Sequence, residues 1–504
     1  MVKEENKIYV EAAKMALLLA FSIAASRVTN GLFLLVIIGY GIWSAFSGKY
    51  GWSIITYLIM PYFIIVSYAI LPKDGFLWAA LIRFGQLGVG LFLALCAARR
   101  TGSHRLPFLG ILPFLIAASV SSAGGFAPSV SYMKIVNFLI FLIGVWLGTQ
   151  NIHKNKEDLL RLRSFFFGMI GLTVFVSILL IPFPHISYAT SFRGLMATGA
   201  GADIVSEAMA DLKIEGGRAL FCGMLTHSQM LSPFAALSFA WVLCDMLFAE
   251  KRIRIPHLIL ILALLPVFYL TRSRVALLVS VSSVFIIFVY TLNKIKIKQK
   301  VKNSLRGMMI FGIFMGMIGG VFIEATSQGI TKWVRKVDNV QNDDRGLTEA
   351  FTESRQGLID MSMWEFRRNP MFGSGFQVSY ETEELVKRSK GLILTAPIEK
   401  GIIFTMVLGE TGIVGIICFI FFILSFYITA TMRRLYVTIT MFTLLLISNM
   451  GEATFFSPGG IGSILWILTV IGGFVIDSYL INQRIEKRRY EEEMAMMPWQ
   501  NQPF

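Results

Sequence analysis

Long apolar runs recur from one end of the chain to the other, and they limit the fold more than any other feature. Runs of roughly membrane-spanning length are read near 11–26, 30–46, 53–71, 76–97, 107–123, 130–149, 163–183, 219–248, 255–271, 274–291, 306–324, 401–428, 436–450 and 459–482. They predict an all-α, polytopic integral membrane protein with about 14 (about 12–14) transmembrane helices. With 55% hydrophobic and only 15% charged side chains over 504 residues, the chain is too apolar for a soluble protein.

Charge between the runs sets the expected orientation. If the N-terminus is cytoplasmic, the inside loops contain Lys49, then Arg99, Arg100 and Arg105, then Lys154, Lys156, Arg161 and Arg163. Further inside loops hold Lys251, Arg252 and Arg254, the lysine-rich stretch from Lys294 to Arg306, Arg433 with Arg434, and Arg484 with Lys487, Arg488 and Arg489. This obeys the positive-inside rule at every inside loop and puts both termini in the cytoplasm, the bacterial inner membrane being the expected location. The net charge of +15 is then a topological excess and no argument for nucleic acid. Cys96, Cys222, Cys244 and Cys418 lie in or at the ends of apolar runs without metal-ligand spacing, so neither disulfide nor zinc is expected.

The chain divides into an N-terminal transmembrane bundle (1–183), a second set of spans with arginines at its outer ends (184–324), an external, periplasmic loop (325–400), the C-terminal spans (401–482) and a cytoplasmic tail (483–504). The loop is the only long polar stretch between apolar runs, far longer than the usual connection of about 4–6 residues. Between Gln328 and Lys400 it holds eleven basic and eleven acidic residues. From Gly346 to Arg368 it lacks proline, and Leu347, Phe351, Leu358, Met361 or Ser362, and Phe366 recur at helical spacing, which predicts a helix. Arg355 falls on the apolar stripe of that helix, between Phe351 and Leu358. A guanidinium on a buried face is expensive unless it meets an anion. It either contacts a ligand or pairs structurally with Glu410 or Glu452.

Other polar groups fall at or within the spans. Arg83 and Lys134 are charges inside apolar runs, Lys134 close enough to the outer end to snorkel. Arg218 stands at the outer mouth of a span, with His227-Ser228-Gln229 two to three turns deeper; His227 is either a site residue or an imidazole hydrogen-bonded between helices. The short outer turn Thr271-Arg272-Ser273-Arg274 breaks the charge rule, and two arginines kept there fit a bound diphosphate, whose oxygens match the guanidinium fork. Glu410 is an in-membrane carboxylate followed by small residues, and Gly409, Gly412 and Gly415 allow close helix approach. No nucleotide-binding loop, Asp-x-Asp motif or Ser-His-Asp arrangement occurs, so a donor carrying its own diphosphate is favoured over a sugar nucleotide.

Arg218 with His227-Ser228-Gln229, Ser273-Arg274, Arg355 with Trp364 and Pro370-x-x-Gly373-x-Gly375, and Glu410-Thr411-Gly412-Ile413-Val414-Gly415 occur in an order that resembles the O-antigen ligase and polysaccharide polymerase superfamily. The resemblance covers roughly residues 215–460. It implies a membrane glycosyltransferase that takes a glycan from undecaprenyl diphosphate and joins it to an acceptor hydroxyl, on lipid A–core for a ligase or on another lipid-linked glycan for a polymerase. No cofactor or metal is implied. The diphosphate would fall to Arg218, Arg272, Arg274 and Arg355. Ligases of this type usually carry a histidine near the Glu-x-Gly element as the base; here Glu399-Lys400-Gly401 stands in that region. Glu399 is the substitute candidate, the alternatives being a structural pair with Lys400 and a base role for His227. The competing function is a transporter or flippase of a lipid-linked glycan, for which paired mid-membrane charges in two matching halves are expected and are not found.

Overall fold

The computed structural model describes residues 7–67, 69–71, 76–98, 108–149, 152, 155–189, 220–250, 254–271, 273–294, 347–380, 402–450, 454–457 and 461–496. Every expected span has a helical counterpart except 306–324, which lies outside these residues. Among the described residues six helices are long and apolar enough to cross a membrane: Lys7–Val28, Pro128–Val145, Lys156–Leu179, Ser228–Ala249, Ile403–Met432 and Gly462–Glu493. Seven shorter apolar helices accompany them. The chain is a multi-pass membrane protein, and strand among the described residues is confined to the pair Tyr188–Ala189 and Leu220–Phe221.

Exposed apolar residues lie where lipid is expected. On helix Ile403–Met432 the exposed Ile413, Ile417, Ile420, Phe421, Leu424 and Ile428 follow helical spacing along one face. The opposite face supplies Phe419, Phe422 and Phe426 to an aromatic core with Phe114, Phe138, Phe442, Phe455, Phe456 and Trp466.

Helix ends sort into two groups, as alternate loops in chain order require. At one end the turn at Asn30 and Gly31 rests on Trp78, the Arg27 guanidinium donates to the carbonyls of Ala69 and Ile70, and Ser67 and Ile65 pair with Met224 and Thr226. At the other end Asn155 caps helix Lys156–Leu179 through the Glu157 N–H, and Lys156 meets Glu486. Helix Tyr436–Ser448 has no cap of its own. Asp477, from the last membrane helix, accepts from the Val437 and Thr438 N–H groups and from the Thr438 hydroxyl.

The same end holds a buried ion pair. Arg163 grips Asp245 with two hydrogen bonds of 2.5 and 2.9 Å, and His257 Nε2 lies 2.9 Å from the same carboxylate. Tyr9 reaches His257 Nδ1, and the Arg163 guanidinium lies over the Tyr479 ring. Five stretches of chain are thereby joined around one carboxylate. The helix carrying Asp245 runs from there into a π-helical turn, Asp245–Glu250. Arg163 thus lies in the core rather than among the inside-loop charges with which the charge pattern groups it; it is 2% exposed.

Candidate functional site

Gly409, Gly412 and Gly415 foretell close packing, and the structure adds a break. Helix Ile403–Met432 leaves helical geometry at Gly412, with φ 66° and ψ −164°, values open to glycine and strained for other residues. A break inside a membrane helix strands backbone groups that lipid cannot satisfy. The turn 370–375 takes them up. Ile413 N donates to Pro370 O and Val414 N to Met371 O, at 2.9 and 3.3 Å. In return Ser374 N donates to Gly409 O and Gly375 N to Glu410 O, both at 3.0 Å. These four bonds replace the two rungs, Ile413 to Gly409 and Val414 to Glu410, that an unbroken helix would form. The turn is spliced into the helix ladder.

Glycine makes the splice possible on both sides. A Cβ at Gly373 would lie 2.4–2.5 Å from the Glu410 and Thr411 backbone, and one at Gly409 would lie 2.7 Å from Ser362 O. Helix Leu347–Arg368 is consequently held against helix Ile403–Met432 at its Ser362 side, with Ser362 and Glu365 both buried. The expected helix therefore exists, one residue shorter at its start.

Serines from two further helices complete the seat. Ser121 Oγ donates to Glu410 O at 2.5 Å and accepts from Gly375 N, while Phe126 N donates to Ser374 O. Ser131 donates to Phe376 O, and the Phe376 ring enters the aromatic core against Phe114 and Phe456. Lys134 does not snorkel: it is 8% exposed, and its ammonium donates to Gln377 O at 2.6 Å. The Gln377 amide in turn donates to Phe456 O.

Two carboxylates are buried at this seam. Glu410 and Glu365 are each 1% exposed. Ser374 Oγ lies 3.2 Å from both Glu365 Oε2 and Gly409 O, so one hydroxyl proton serves the carboxylate and the broken ladder together. The sequence gives no warning of Glu365, because an apolar-stripe reading passes over an acid that sits on the stripe. Arg355 precedes Ser362 by seven residues and so shares its helical register.

No protein-family model and no curated protein matches this chain.

Of the residues expected to take part in catalysis or to bind the diphosphate, only His227 is described with its side chain. It is buried and stands at the N-cap of helix Ser228–Cys244, where Nδ1 accepts from Gln229 N at 3.0 Å. That bond puts the proton of the neutral ring on Nε2, which makes the imidazole a hydrogen-bond donor at its other edge. Arg274 and Arg355 are described as backbone only, Arg274 as the first residue of helix Arg274–Lys294 and Arg355 within helix Leu347–Arg368. Arg218, Arg272 and Glu399 lie outside the described residues. Among the described residues no group of three or more His, Cys, Asp or Glu is placed to hold a metal ion.

Proposed function

We propose that the chain is a metal-independent inverting glycosyltransferase of the O-antigen ligase or polysaccharide polymerase kind. It would act at the external face of the bacterial inner membrane, with about 14 spans and both termini cytoplasmic, and transfer a glycan from undecaprenyl diphosphate to the hydroxyl of a glycan or lipid acceptor. One observation carries the reading: a polar amphipathic helix, Leu347–Arg368, is seated on the membrane helices by a turn spliced into a broken span. An arginine-bearing helix held this firmly is suited to preorganised charge stabilisation.

In this mechanism the acceptor oxygen attacks the anomeric carbon as the bond from that carbon to the phosphate oxygen breaks. Undecaprenyl diphosphate leaves with the bonding electron pair, and Glu399 takes the hydroxyl proton. Arg355, with Arg218, Arg272 and Arg274, offsets the charge that grows on the leaving diphosphate, an interaction stronger in the transition state than in the ground state. With Nδ1 engaged in its cap, His227 is better suited to donating from Nε2 than to serving as the base.

The break at Gly412 favours a second reading, a transporter or flippase of the lipid-linked glycan, because discontinuous helices line many transport sites. Against it, the backbone groups at this break are consumed by the 370–375 turn instead of facing a cavity. Proteoliposomes loaded with undecaprenyl-diphosphate glycan from the source organism separate the two. Glycan transfer with release of undecaprenyl diphosphate, followed by mass spectrometry, is expected; movement of intact glycolipid between leaflets with no bond change would establish the transporter instead.

A further inference from the structure

Beside the spliced turn, three aromatic rings and one arginine form an open, two-sided platform. Trp364 and Phe126 come from helix Leu347–Arg368 and from the turn before helix Pro128–Gly148; their rings are parallel within 6°, with centroids 6.4 Å apart. Tyr380 stands edge-on to both, at 80° to Phe126 and 78° to Trp364, as a wall against a floor. Arg368, one helical turn beyond Trp364, places its guanidinium carbon 5.3 Å from the Phe126 centroid and 5.8 Å from that of Trp364. Trp364 is 48% and Tyr380 46% exposed.

Large exposed aromatics could simply meet lipid, as they do in interfacial belts. Arg368 argues otherwise. Among the described residues it makes neither an ion pair nor a hydrogen bond, and its guanidinium meets the two rings. Five N–H donors without a hydrogen-bond partner among the described residues, beside exposed aromatic rings, suit a ligand that is apolar on one face and rich in oxygen at its edge. An acyl chain has only the first property. A pyranose ring has both: its C–H face can lie on the exposed part of the Trp364 indole while its hydroxyl or carboxylate oxygens accept from the guanidinium.

We infer that Trp364, Phe126, Tyr380 and Arg368 form a sugar-binding subsite that holds a pyranose of the donor glycan beside the transfer site. The identity of the occupant rests on the glycan-transfer reading. The subsite is rigid at its base, since Phe126 N and Ser374 O are hydrogen-bonded and the turn below is spliced into the membrane helix. Sugar rings held here would keep the anomeric end of the donor from drifting once the diphosphate is bound.

The test uses the full chain in nanodiscs and two probes: undecaprenyl diphosphate, and the glycan freed by mild acid from the source organism's own lipid-linked glycan. Saturation-transfer NMR and titration should show wild type binding both. Trp364→Leu and Arg368→Gln should each weaken glycan binding about tenfold or more while binding undecaprenyl diphosphate as wild type does. Unchanged glycan affinity in both variants would overturn the subsite, as would a wild type that binds undecaprenyl diphosphate but no glycan. Quenching of the Trp364 fluorescence, taken as wild type minus Trp364→Phe, by lipids brominated in their acyl chains would also overturn it and assign the rings to the bilayer. A wild type that binds neither probe would remove the glycan-transfer reading itself.

Discussion

Met371 and Gly412 touch backbone to backbone: a Cβ at position 412 would stand 2.4 Å from the Met371 carbonyl carbon and oxygen. Neither atom can give way, because the same carbonyl accepts from Val414 N and so forms part of the splice.

Gly412→Ala should therefore destabilise the protein twice over, through a left-handed φ that costs about 1–3 kcal/mol and through the backbone clash. A lower unfolding temperature in detergent is expected. Gly171→Ala is the control, since nothing lies within 4 Å of its Cβ position; in mid-helix it should be neutral or gain up to about 1 kcal/mol. Equal melting of Gly412→Ala and wild type would mean that the break is not held by the turn.

Asp245 offers a second stability test. Removing this carboxylate leaves the buried Arg163 charge without its counter-ion, at a cost of about 3–5 kcal/mol. Asp245→Leu should unfold at a clearly lower temperature, and combining it with Arg163→Met should restore most of the loss, because two apolar side chains need no solvation. A double variant as unstable as the single one would show that the geometry of the five-part cluster matters more than its charge.

The expected sidedness is checked by chemical labelling. A cysteine at Ser389 should react with a membrane-impermeant thiol reagent in spheroplasts, and one at Ser304 should not. Background is low because the native cysteines are buried or half-buried. The reverse pattern would invert the topology and move the arginine-bearing turns to the cytoplasm.

The arginines carry the chemical test. Arg355→Ala should lower glycan transfer by about 10²–10³ without altering expression, the usual loss when one preorganised donor is removed. Arg274→Lys keeps the charge but loses the paired hydrogen bonds, so it too should fall well below wild type. EDTA should leave the wild type active. Full transfer by Arg355→Ala alongside an inactive Arg274→Ala would make helix Leu347–Arg368 a lid rather than part of the reaction centre.

The membrane helices and the amphipathic helix were legible because periodicity and run length are local properties. The glycines at 409 and 412 were legible as close contacts, yet nothing local says that the contact at 412 is a turn exchanging hydrogen bonds with a broken helix. Arg163 and Asp245 are 82 residues apart. Charge counting assigns Arg163 to an inside loop, since its position beside Arg161 looks the same whether it faces water or an acid. Lys134 is ambiguous for a similar reason: a snorkelling lysine and one buried on a carbonyl have the same sequence neighbourhood. His227 is legible as a polar group near a span, but the N-cap that engages Nδ1 depends on a backbone bend that one imidazole does not announce.

The cap that Asp477 provides has a consequence for biogenesis. It finishes the amino end of a helix that begins some 40 residues earlier in the chain. During synthesis that helix emerges with its first N–H groups bare, and they meet this acceptor only when the span carrying Asp477 has been translated and delivered alongside. Helix Tyr436–Ser448 is therefore finished by a residue translated after it, and a chain cut short before residue 477 would leave the amino end of that helix without its acceptor.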